Sequence, residues 1–138
     1  MIDRIFIETK LSYIQAYYQE LENVLGYSDQ EIKGDILKLR ALERIIQLIV
    51  DEIIDINNHI IRYAQLQVPE DFQSAFLILA ENKILPEGFA RRMAPMVGLR
   101  NRLVHRYEKV DVEILLDAIR KNKYDFKQYV KHMLEYLR

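Results

Sequence analysis

Arg100, Asn101 and His105 are the residues of this chain whose types and spacing could do chemistry. Arginine is a permanent cation whose planar fork matches phosphate oxygens. Histidine is the side chain that most readily gives and takes a proton near neutral pH. A proton shuttle beside a phosphate clamp is the minimum equipment for cleaving a phosphodiester without a metal. The three lie in the stretch Gly98-Leu99-Arg100-Asn101-Arg102-Leu103-Val104-His105-Arg106-Tyr107. No Asp or Glu occurs from Gly88 to Tyr107, whereas Arg91, Arg92, Arg100, Arg102 and Arg106 all do. In a chain of net charge -1 this is a local basic island. Arg102 and Arg106 are its further candidates for attracting phosphates. On spacing alone a second reading stays open, because Arg-rich helix faces and single histidines are usually just solvated.

The positioning element is predicted to be a helix. Met93, Met96, Val97, Leu99, Leu103 and Val104 recur at three- and four-residue steps. Each helical residue advances about 100° and about 1.5 Å. Asn101 and His105 then share a face, and His105 leans back over Asn101. Arg100 lies roughly 140° from His105 by the same arithmetic, a gap its long side chain can partly bridge. Tyr107 returns nearly to the azimuth of Arg100, so all four can border one polar groove. Pro86 opens this helix, Pro95 is expected to kink or divide it, and Gly98 to admit another backbone closely.

The remainder is expected to form one domain spanning 1–138, an all-α up-and-down bundle of four or five helices. Gly and Pro number only four and three, which disfavours a turn-rich β fold. There is no cysteine, so disulfides and thiolate metal sites are excluded. No apolar run approaches the roughly 20 residues that span a membrane. The charged, amphipathic N-terminus is unlike a signal peptide, and a cytoplasmic location is expected. Ile7, Leu11, Ile14, Tyr18, Leu21 and Leu25 stripe a first helix over 2–25, and Ser28 with Glu31 resembles a capping box. Asp35 should cap a helix over 35–66, about 45 Å long, whose wide apolar stripe calls for several neighbours, a second copy of the chain among them. Within it Asp55, Asn58 and His59 form a polar set, read first as a hydrogen-bonded cluster between helices and second as a wall of the groove; one His and one carboxylate are too few for a metal. A short helix over 70–81 should turn Phe72 and Phe76 into the core, rather than offer them to bases. A last helix over 111–137 starts on Asp111 and carries Lys121, Lys123, Lys127, Lys131 and Arg138 on a mildly basic face. His132 is read as a surface residue.

Arg100-Asn101-x-x-x-His105 resembles the R-x4-H motif of the HEPN superfamily, including the polar residue after the Arg. With His105-Arg106-Tyr107 it becomes R-x4-H-x-Y, the form in HepT-like toxins of the MNT–HEPN toxin–antitoxin class. The stretches Ile54-Asp55-Ile56-Asn57-Asn58-His59-Ile60-Ile61, Val68-Pro69-Glu70, Ala75-Phe76-Leu77-Ile78-Leu79 and Met96-Val97-Gly98-Leu99-Arg100-Asn101 resemble the same layout over most of the chain. Leu99 departs from the aromatic expected in many relatives. The resemblance implies a HEPN-like fold and a metal-independent endoribonuclease toxin working as a homodimer. In it His105 would be the general acid/base, Arg100 the phosphate clamp, and Asn101 would orient His105 or bond the phosphate. It further implies that Tyr107 accepts AMP from a cognate MNT-domain nucleotidyltransferase antitoxin, and it implies no cofactor. The alternative is a non-catalytic HEPN module that binds nucleotide or RNA and partners a nucleotidyltransferase.

Overall fold

The longest helix of the computed structural model, α3 (Ile36–Tyr63), has 28 residues and carries the core. The structure describes residues 2–105 and 110–138. Leu42, Ile46, Ile49, Ile53, Ile56 and Ile60 of α3 are fully buried. This wide stripe needs several covers, and the chain supplies them. α1 (Arg4–Leu25) packs along it most extensively, and α2 (Asp29–Gly34), α4 (Ser74–Glu81) and α5 (Glu87–Val104) also lie against it. α6 (Val112–Asn122) meets α2, and α7 (Tyr124–Tyr136) closes the bundle on α1. Among the described residues there are seven helices and no strand, and no helix is long and apolar enough to cross a membrane.

Local chemistry sets most of the boundaries. All six stripe residues of α1 are buried. Ser28 and Glu31 form the reciprocal capping box that starts α2. The Asp35 carboxylate accepts from Leu37 N–H at 2.9 Å to start α3, and Asp111 accepts from Glu113 and Ile114 to start α6.

Several boundaries differ from expectation. α3 ends at Tyr63 rather than 66, because Gln65 takes φ 56° and Leu66 N–H folds back to Ile61 C=O at 2.9 Å. That closure favours glycine, and no glycine marks it here. α4 starts at Ser74 rather than 70, where Asp71 accepts from Ser74 N–H at 2.7 Å and Ser74 Oγ bonds Asp71 C=O. Phe72 therefore falls in a turn and is 45% exposed, whereas Phe76 is buried as expected. The last helix is two, parted at Lys123, where Phe126 N–H bonds back only three residues and the Asn122 amide takes Ala118 C=O. Pro95, on an exposed position, leaves α5 undivided.

Of the polar set on α3, Asp55 and His59 turn toward α1 and the N-terminal end of the chain rather than toward α5. Asp55 accepts from Lys10 at 2.9 Å, and Glu52 stands 3.2 Å from the same ammonium. His59 Nε2 accepts from Asp3 N–H at 2.9 Å, between the rings of Phe6 and Tyr63 at 4.6 Å each. His132 is half-buried and packs on Phe89 at 4.8 Å, so it has a partner that the sequence pattern did not indicate.

One polar contact lies in the apolar centre. The fully buried Tyr129 hydroxyl donates to Asn57 Oδ1 at 2.6 Å, and burial pushes its phenol well above the usual range. Among the described residues Asn57 Nδ2 has no partner. Tyr129→Phe strands the Asn57 carbonyl as well, and should cost about 1–3 kcal/mol. Urea unfolding of the two proteins measures this, with an unchanged slope expected.

His59 makes stability depend on pH. Burial lowers its pKa from 6.5, so folding favours the neutral ring, and Nε2 can accept from Asp3 only when unprotonated. The folded state binds fewer protons than the unfolded one. The contribution is thus full above 6.5 and is lost as pH falls through the lower folded value. Melting temperatures taken between neutrality and the carboxylate range should fall more steeply for the native chain than for His59→Gln.

Candidate functional site at the end of α5

α5 presents its last turn where α3 passes beneath it. Met93, Met96, Val97, Leu99 and Leu103 bury one side of the helix and fix its rotation. Arg100 is thereby held at the edge of the core, half-buried. Its Nε donates to Asp51 Oδ1 on α3 at 2.7 Å, and its Nη1 donates to Asn101 Oδ1 at 3.0 Å. Among the described residues these two bonds use two of the five N–H donors of the Arg100 guanidinium. The Arg100 and Asp51 side chains keep 23% and 36% of their exposure, so solvent reaches the pair. An ion pair so placed contributes roughly 0–1 kcal/mol to stability; its main effect is on direction.

His105 caps the helix. Its amide closes the last turn on Asn101 C=O at 2.9 Å, and at ψ 91° the chain leaves the helical path. The ring therefore stands one turn beyond Asn101, at an exposed position. The expectations on Arg106 and Tyr107 lie outside the described residues. Arg102 is not brought to Arg100: it lies around the helix, lining a cavity of about 570 Å³ with Met96 and Leu99 of α5 and Leu115 of α6.

The basic island is less unpaired than its sequence suggests. Arg91 pairs with Glu87 at 2.8 Å, Arg92 stands 3.5 Å from Asp125, and Arg100 is on Asp51. Gly98 gives close approach to a side chain rather than a backbone: a Cβ there would lie 2.9 Å from Gln73 Nε2. Gln73 and Phe72 join Asn101 and Val97 in a cavity of about 480 Å³ beside the end of α5. Among the described residues no group of three or more His, Cys, Asp or Glu could hold a metal ion.

Asp51 is the site residue that sequence reasoning missed. The available signal was weak. Asp51 and Glu52 interrupt an otherwise apolar run, and adjacent helical residues point about 100° apart, so they must serve different neighbours. Glu52 faces Lys10 on α1 and Asp51 faces Arg100 on α5. Which cation meets which acid depends on the packing of three helices.

Comparison with known proteins bears on this arrangement. Residues 14–133 match the model of a family described as Ribonuclease HepT-like. The chain is 33% identical to the tRNA nuclease HepT of Aphanizomenon flos-aquae over 99% of its own length and 92% of the relative. It is 29% identical to the mRNA nuclease HepT of Shewanella oneidensis, covering 90% of this chain and 92% of that one. Its fold superposes with a TM-score of 0.89 on a tri-AMPylated Shewanella oneidensis HEPN toxin solved in complex with MNT antitoxin, at 26% identity, covering 96% of this chain and 99% of that one. A second toxin–antitoxin structure, with AMP-PNP, gives the same TM-score and coverage. With its all-α bundle and its Arg100-Asn101-x-x-x-His105 helix end, the chain belongs to the Ribonuclease HepT-like family.

Proposed function

We propose that this chain is the toxin of a toxin–antitoxin pair, a metal-independent endoribonuclease acting through Arg100 and His105. The carrying observation is the Arg100 guanidinium, aimed by Asp51 and Asn101 one turn before His105. The tRNA and mRNA nuclease relatives support the activity, and the solved toxin–antitoxin complexes support the partner.

In the reaction, His105 takes the proton of an RNA 2′-hydroxyl. The 2′-oxygen attacks the adjacent phosphorus, and the bond to the 5′-oxygen breaks. A protonated histidine returns a proton to that leaving oxygen, leaving a cyclic phosphate and a 5′-hydroxyl. The remaining donors of Arg100 stabilise the charge that builds on the phosphate oxygens. Asn101 keeps the guanidinium turned outward, and Arg102 and Arg106 add attraction for the RNA backbone. A single His cannot be base and acid at once, so a homodimer with two motifs at one cleft supplies the second group.

Neutralisation falls on Tyr107. Its phenolic oxygen attacks the α-phosphorus of ATP held by an MNT-domain nucleotidyltransferase, pyrophosphate leaves, and AMP remains on the ring. The added phosphate competes with RNA for the cations of the motif. The AMPylation of the Shewanella oneidensis toxin supports this reading.

A variant series separates the roles. His105→Ala should lower kcat on RNA by about a hundredfold or more with affinity retained. Asp51→Ala should lower kcat by about ten- to a hundredfold by releasing Arg100, and Asp51→Asn, which still accepts a hydrogen bond, should recover part of it. Loss of affinity in Arg100→Ala, with no turnover by any protein, would instead identify a binding module.

A further inference from the structure

The cavity beside Asn101 has a composition that neither the phosphate clamp nor the proton shuttle uses. Its lining is Glu70, Asp71, Phe72, Gln73, Val97 and Asn101, around about 480 Å³. Phe72, freed from the core by the late start of α4, is 45% exposed. Gln73 is seated against Gly98, in the space a larger residue would take: a Cβ there would come within 2.9 Å of its Nε2. The two acids oppose an anion. The backbone N–H of Ser74 lowers the Asp71 pKa and keeps that carboxylate ionised. An exposed aromatic face, an amide with donor and acceptor, and negative charge at the rim suit a flat, neutral, hydrogen-bonding group. A nucleobase is such a group, and the phosphate of the same strand belongs on Arg100 next door.

We propose that Phe72 and Gln73 form a base-recognition subsite for the RNA nucleotide flanking the cleaved bond, Phe72 stacking the base and Gln73 reading its edge. The proposal rests on the ribonuclease reading and adds a specificity determinant to it. Gly98 is part of the device, because its missing Cβ lets the amide sit beside Asn101.

The test uses short single-stranded RNAs of one length, varied one base at a time around the cleaved bond, with cleavage kinetics and fluorescence anisotropy on each. Phe72→Ala should raise KM by about tenfold with kcat little changed, and should flatten the base preference, since a stacked base contributes on that scale. Phe72→Tyr should restore both. Gly98→Ala should change the base preference while keeping the stacking. An unaltered base preference in Phe72→Ala overturns the proposal. So does a loss of activity in Phe72→Ala that tracks a change in oligomeric state by light scattering, because the ring then seals an interface. If the native chain cleaves none of the RNAs, the ribonuclease reading fails separately. Anisotropy then decides the subsite, which stands if Phe72→Ala weakens binding base by base and falls if it does not.

Discussion

Asp51 and Arg100 join the long central helix to the one that carries the Arg100-Asn101-x-x-x-His105 motif. A free arginine side chain samples many rotamers. One carboxylate on α3 and one amide on α5 remove that freedom, leaving part of the guanidinium open to an anion. The pair is half in water, so its consequence is aim rather than stability. Its cost falls on the design of α3, which must carry an acid at the rim of its apolar stripe.

The other helices take the remaining sides of α3 and α5. α1 takes the opposite polar side of α3, where Lys10 bridges Glu52 and Asp55 and His59 seats Asp3. α4 and the turn before it cover the end of α5, which brings Phe72 and Gln73 beside Asn101. α7 reaches the centre through Tyr129, whose bond to Asn57 ties the last helix to α3. Helices thus surround the end of α5, and the Arg100 and His105 motif sits where that helix stops.

Much of this was legible beforehand, and the failures share a cause. The stripe from Ile7 to Leu25, the box at Ser28 and Glu31 and the cap at Asp111 are local patterns with local physics, and each forms as read. The pairing of Asp51 with Arg100 is not local: it needs the relative rotation of two helices 49 residues apart in sequence. Gln65 closes α3 in a conformation for which the sequence offers no glycine signal. Phe72 has helical spacing to Phe76, yet the mutual bonds of Asp71 and Ser74 start the helix after it. The break at Lys123 is equally silent in periodicity, since Leu115, Ile119, Phe126 and Val130 keep their apolar register across it. Within the site, the motif residues were found by type and spacing, and the residues that aim and flank them were found by packing.

The most direct measurement is cleavage of RNA by the unmodified chain in excess chelator, with the intact mass recorded and the product ends analysed. The account predicts cleavage that survives chelation and leaves cyclic phosphate and 5′-hydroxyl ends. Cleavage that needs an added divalent ion, or no cleavage of any RNA class at the unmodified mass, would contradict it.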